Sequence, residues 1–142
     1  MQIPFTGQCA CGAVRFRCKA QPRAMYNCHC KACQAITGAA CMRLLVMQSD
    51  MVDIDGPVQT VRPPFDWDRH GQRFRCAVCA AVLFASSTKA DLLLINADWL
   101  ADARSFVAIA DIWTVDAGPA LCMDTHIPKV WKSPPLIGDE FV

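Results

Sequence analysis

Cysteine placement constrains this chain more than any other feature. Seven of its ten cysteines fall in three tight groups, Cys9-x-Cys11, Cys28-His29-Cys30-x-x-Cys33 and Cys76-x-x-Cys79. Residues i and i+2 of a strand face the same side about 6.6 Å apart, and side-chain rotation can bring their sulfurs closer. A tetrahedral zinc with Zn–S bonds of about 2.3 Å wants sulfurs about 3.8 Å from one another. A CxxC at a tight turn meets the same demand, whereas pairs this close in sequence seldom make relaxed disulfides. Metal is the better account of all three groups.

The size of the chain agrees. At 142 residues it reads as one domain spanning 1–142, and about two-thirds of the unfolded surface of such a chain is buried on folding. A core of that size needs no covalent staples. The start, Met1-Gln2-Ile3-Pro4-Phe5, shows neither a basic segment nor an apolar stretch of the secretory kind. The expected compartment is therefore the cytoplasm, where thiols stay reduced.

Counting ligands suggests the arrangement. Cys9, Cys11, Cys76 and Cys79 make a closed set of four, the form of a structural zinc. Cys28, Cys30 and Cys33 make a set of three, the form of a catalytic zinc whose fourth position exchanges. His29 lies between two strand-phased cysteines, should face the other way, and is a poor fourth ligand. The alternatives are a second buried set closed by Cys41, Cys122 or a histidine, and an empty or redox-active group. Redox-active dithiols are also the alternative for the first set, although no βαβ context of the thioredoxin kind is visible. Cys18, Cys41 and Cys122 read as small buried apolar residues.

Other classes are set aside by composition. With 54% hydrophobic and 19% charged residues the chain is not disordered. A net charge of +1 with scattered Lys and Arg lacks the basic footprint of a nucleic-acid binder. Apolar runs such as Ala80 to Ala85 and Leu92 to Ile95 are far too short to span a bilayer.

Gly and Pro punctuate the chain evenly, and the segments between them are short and rich in β-branched and aromatic residues, so a mostly β fold is expected. Val14, Phe16 and Cys18 alternate with Arg15, Arg17 and Lys19 as in a half-buried strand. Further strands are expected at Met25–Cys28, Ala40–Val46, Val58–Arg62, Arg73–Cys76, Val82–Ala85, Asp91–Asn96 and Val107–Thr114. Helix is expected for a turn or two after Cys30 and over Ala97 to Ala103. The loops Phe65-Asp66-Trp67 and Trp131-Lys132-Ser133-Pro134-Pro135 read as surface loops over a core or as pocket walls. His70 and His126 read as surface or capping residues.

The groups occur in a recognisable succession. Gly7-x-Cys9-x-Cys11-Gly12-x-Val14-x-Phe16, Cys28-His29-Cys30-x-x-Cys33 with Gly38, and Arg73-x-x-Cys76-x-x-Cys79 with Leu83 together resemble the glutathione-dependent formaldehyde-activating enzyme family. Ile127-Pro128-Lys129 and Trp131 extend the likeness, which runs from about Phe5 to Trp131. The resemblance implies an Mss4-like fold of several short, coiled antiparallel β-sheets stapled by two zincs. Cys9, Cys11, Cys76 and Cys79 would hold the structural ion, and Cys28, Cys30 and Cys33 the catalytic one. It further implies a carbon–sulfur lyase acting on S-hydroxymethylglutathione, with a small thiol such as glutathione as partner. Arg23, Lys31, Arg43 and Lys89 are candidate cations for the carboxylates of such a thiol. Two positions depart from the family pattern: Ala80 follows the CxxC where glycine is usual, and Asp111-Ile112-Trp113-Thr114 stands where His-Ile-Trp-Thr is common. From another class, a non-catalytic zinc-stabilised binding or adaptor module would use the same fold. A metal or redox sensor is a third reading.

Overall fold

The structure is a computed structural model that describes residues 1–61, 72–86, 91–118 and 123–137. Arg62, the Phe65-Asp66-Trp67 loop, His70, Lys89 and Cys122 lie outside the described residues.

The fold is mostly β, in two sheets. Strands β1 (Phe5–Gln8), β2 (Arg15–Cys18) and β5 (Val52–Asp55) form a three-stranded antiparallel sheet in the order β1-β2-β5. The larger sheet contains β3 (Ala24–Cys28), β4 (Met42–Gln48), β6 (Val58–Val61), β7 (Arg73–Cys76), β8 (Val82–Ser86), β9 (Leu92–Asn96) and β10 (Ala110–Ile112), ordered β10-β3-β4-β9-β8-β7-β6. Its pairs are antiparallel except β10, which runs parallel to β3 with Ile112 opposite Cys28. That pair departs from the all-antiparallel expectation: a long path returns β10 to the edge alongside β3 rather than by a hairpin.

Strands β4 and β9 occupy the centre and are buried on both faces, which explains their unbroken runs Leu44-Leu45-Val46-Met47 and Leu92-Leu93-Leu94-Ile95. Alternation sends Met42, Leu44, Val46, Leu92 and Leu94 into one core, with Cys28, Cys30 and Cys33. Leu45, Met47, Leu93 and Ile95 enter a second core, with Cys9, Val14, Phe16, Cys18 and Cys76. The two cores, and the sulfurs within them, therefore lie on opposite faces of the large sheet. In the second core Phe16 packs edge-on against Phe84, ring centroids 5.5 Å apart. Cys18 is fully buried as expected, and Cys41 is half-buried.

Helix α1 (Lys31–Thr37) begins inside the second cysteine group, directly after Cys30, and contains Cys33. The Cys30 sulfur accepts the Cys33 amide at its start, and Gly38 ends it at φ 67, a left-handed conformation that suits glycine. The helix expected over Ala97 to Ala103 is instead two 3₁₀ turns, Ala97–Trp99 and Ala103–Ser105, with Leu100 extended between them. Leu100 is buried and bridges Gly7 of β1, and that tertiary contact interrupts the helical path. Gly7 permits the approach, because a Cβ there would lie 2.2 Å from the Phe16 ring and 2.3 Å from the Trp99 carbonyl oxygen. The strand expected over Val107–Thr114 shortens to three residues, and Trp113 leaves it at φ 56. Among the described residues no helix is long and apolar enough to cross a membrane.

Candidate metal centres

Cys9 and Cys11 lie on the turn between β1 and β2, Cys76 ends β7, and Cys79 lies on the knuckle between β7 and β8. Their four sulfurs lie within 4.8 Å of one another. Cys9 and Cys11 are 3.6 Å apart, and Cys11 and Cys76 are 3.8 Å apart, close to the edge of a ZnS₄ tetrahedron. Backbone amides point at the sulfurs: Val14 donates to Cys9 at 3.3 Å, and Val78 and Cys79 donate to Cys76 at 3.3 and 3.5 Å. Such donors stabilise thiolate charge. Burial pushes the Cys9 thiol up, but the Val14 amide and the neighbouring cysteines outweigh it and bring it down to about 6. This set fits a closed divalent ion of the zinc kind.

Ala80 sits at φ 63, its amide bonded to the Cys76 carbonyl at 3.0 Å. The knuckle thus keeps the left-handed turn that glycine would favour, while carrying a Cβ. We expect Ala80→Gly to stabilise the protein by about 1 kcal/mol, read as a higher denaturant midpoint with the metal content unchanged.

Cys28 ends β3, Cys30 caps α1, and Cys33 sits in the first turn of the helix. All three are at most 1% exposed, and their sulfurs lie within 4.8 Å of one another. Among the described residues no other cysteine, histidine or carboxylate joins this set. Cys41 stays outside it, and His29 faces Asp111 instead, with Nε2 2.8 Å from Oδ1. Thiol hydrogen bonds from Cys28 and Cys33, aided by the Cys33 amide and Arg73 against the opposing effect of burial, bring Cys30 down to about 3. Cys28 is pushed well up by Cys30, Cys33 and burial. The Cys28 contact favours the Cys33 thiolate, but Cys30 and burial outweigh it and Cys33 also rises. These opposed directions favour the thiolate at Cys30 and the neutral thiol at Cys28 and Cys33.

Three sulfurs on a divalent ion must all be thiolates, so binding should release two protons, from Cys28 and Cys33. Affinity at this set is then expected to fall about a hundredfold per unit as pH drops through neutrality. Competition titrations against a chelator between pH 6 and 8, as an order-of-magnitude window, would check the slope.

The proposed carboxylate-binding cations separate on inspection. Arg43 is engaged by Asp98 at 2.6 Å and stacks over Phe106, 5.4 Å from the ring centroid. Arg23 donates to Gln48 at 3.1 Å. Lys31, exposed at the first position of α1, adjoins Cys30. His126 is exposed and bonded to Asp124, in keeping with a surface role. Sequence reasoning missed Arg73 as a cation. It is 4% exposed and pairs with Ala85, which places it on the core face of the three-sulfur set. Its signal was its position three residues before Cys76, on the other side of the strand. The partners of Asp111 were also missed: besides His29, Asn27 donates to Oδ1 at 3.1 Å, and the Lys129 ammonium lies 2.9 Å from Oδ2.

Comparison with known proteins gives two findings. The sequence model described as glutathione-dependent formaldehyde-activating enzyme matches residues 4–116. A crystal structure of a Rhodobacter sphaeroides protein superposes with a TM-score of 0.55 over 88% of this chain and 99% of that one, at 13% identity, which shows a shared fold. No curated protein matches the chain significantly.

Proposed function

The chain belongs to the glutathione-dependent formaldehyde-activating enzyme family, and from that premise we propose that it is a zinc-dependent carbon–sulfur lyase acting on the S-hydroxymethyl adduct of a small, glutathione-like thiol. The observation that carries this reading is the buried three-sulfur set, which no further protein donor joins among the described residues. Cys28, Cys30 and Cys33 would hold the catalytic zinc, and Cys9, Cys11, Cys76 and Cys79 the structural one. A zinc bound by three thiolates would supply Lewis acidity that keeps an incoming thiol deprotonated at neutral pH.

The chain's own residues would do the rest. In the forward direction the thiol sulfur bonds to the carbonyl carbon of formaldehyde, the S–H proton is lost, and the oxygen gains a proton; the reverse breaks the same C–S bond. Burial of the three sulfurs among Ala32, Met42, Ile112 and Ile137 keeps water from competing for the site. Lys31, exposed beside Cys30, would attract a carboxylate of the thiol. Arg73, buried on the same face, would offset the negative charge that accumulates as a further thiolate arrives. Trp131, 65% exposed on a segment bonded to Thr114 and Val115, would flank the approach, since Asp116 just beyond accepts the Lys31 amide at 3.3 Å.

The test is metal content together with adduct formation. Purified protein should hold two zinc equivalents. After cobalt substitution, millimolar glutathione should change the visible absorption of one site and leave the other alone. Adduct formation from glutathione and formaldehyde should exceed the uncatalysed rate. One equivalent, unaffected by thiol and without rate enhancement, would instead favour a zinc-stabilised binding module.

A further inference from the structure

We infer that Asp111 is a positioning residue for the Cys28–Cys30–Cys33 set, acting through the His29 side chain on the opposite face of the sheet. The inference rests on the proposed reading that this set holds a metal.

His29 is the residue between two of the three sulfur donors, and it is clamped at three points. Its backbone N–H donates to the Ile112 carbonyl at 3.0 Å. Its carbonyl accepts the Gln34 side-chain amide at 2.6 Å, and that amide also donates to the Asp116 carbonyl at 2.9 Å. Its ring, 2% exposed, meets Asp111 at 2.8 Å. Among the described residues the ring makes no second hydrogen bond, and Nδ1 is buried without a partner. Asp111 is therefore the polar anchor of the imidazole.

The anchor is strongly built. Asp111 is 1% exposed and faces three donors, from His29, Asn27 and Lys129. Burial works against its charge, but those donors outweigh burial and hold its carboxyl below the usual range. Nε2 is the ring atom that meets this carboxylate, 2.8 Å from Oδ1, and that contact sets the ring orientation. Burying such a cluster costs desolvation that an apolar pair would avoid, and the return is geometric. Cys28 and Cys30 flank His29, so a fixed ring and a fixed backbone at residue 29 keep their two sulfurs on one side at a set separation. Lys129 extends the anchor to the C-terminal segment, where Asp111 exchanges backbone bonds with Pro128 and Val130 at 3.0 and 2.8 Å.

The experiment is a two-site cobalt and zinc titration of Asp111→Asn and Lys129→Gln, with the four-sulfur site as internal control. Asp111→Asn should weaken the three-sulfur site about tenfold or more, the scale seen when groups that orient metal ligands are removed. It should leave the four-sulfur affinity and the far-ultraviolet circular dichroism unchanged. Lys129→Gln alters the more exposed partner and should weaken the same site by a few-fold. If Asp111→Asn does not fold, Lys129→Gln decides: a selective loss at the three-sulfur site supports the positioning role, and unchanged affinity overturns it. Equal weakening of both sites would also overturn it, since that is what a general structural role produces. Wild-type protein that binds a single ion would overturn the parent reading as well. Two bound ions with unaltered affinities in both variants would overturn this inference alone.

Discussion

Cys76→Ser is expected to leave the chain unfolded. Cys76 is fully buried, its sulfur lies 3.8 Å from that of Cys11, and two knuckle amides point at it. The four-sulfur set joins the β1–β2 turn to the β7–β8 knuckle, so an ion bound there would tie the small sheet to the large one. A serine hydroxyl does not ionise at neutral pH and is a poor zinc ligand, so the site would be lost. Structural zinc contributes about 10–16 kcal/mol of apparent binding energy, against a net stability of about 5–15 kcal/mol for a whole domain. Circular dichroism should show no cooperative melt, and dialysed protein should retain no zinc at this site. A folded Cys76→Ser protein with a normal melt would show that the clasp is dispensable.

Cys30→Ser should do the opposite: keep the fold and remove the proposed adduct-forming activity. Cys30 caps α1 by accepting the Cys33 amide at 3.3 Å, and serine is among the best residues for that task. The hydroxyl can accept the same bond, so the helix start survives at a cost of about 1 kcal/mol. The site, however, drops to two sulfurs. If metal-assisted thiol activation supplies about 4 kcal/mol of barrier lowering, turnover should fall roughly a thousandfold, to near the uncatalysed rate. The checks are a thermal melt close to wild type and adduct formation indistinguishable from the solution reaction. An unfolded Cys30→Ser protein would argue that this set, too, is structural.

Much of this arrangement was readable from residues because its causes are local. Alternation over Val14 to Cys18 gives β2, and the buried runs in β4 and β9 mark the centre of a sheet. The cysteine spacings grouped the same sulfurs that the structure places within 4.8 Å of one another, since strand and knuckle geometry act within a few residues. What was missed depends on distant partners. β1 contains Gly7, a weak strand former, and exists because Phe16 of β2 and Trp99 close around it. β5 reads Val52-Asp53-Ile54-Asp55, acidic enough to pass for a turn, and is recruited by pairing with β2. The parallel position of β10 comes from its return to β3. That same return sets Asp111 against His29, a contact 82 residues apart in sequence that no local pattern announces.

The central strands also insulate the two sulfur sets from each other. With β4 and β9 between them, a sulfur of one set cannot approach a sulfur of the other closely enough to form a disulfide. Oxidative damage would therefore stay local, joining neighbours within one set or converting single thiols to sulfenic acid. If the three-sulfur set is the one oxidised, a reductant would restore it while the four-sulfur set, on the other side of the sheet, stayed untouched, so the proposed chemistry would be lost and regained without loss of shape.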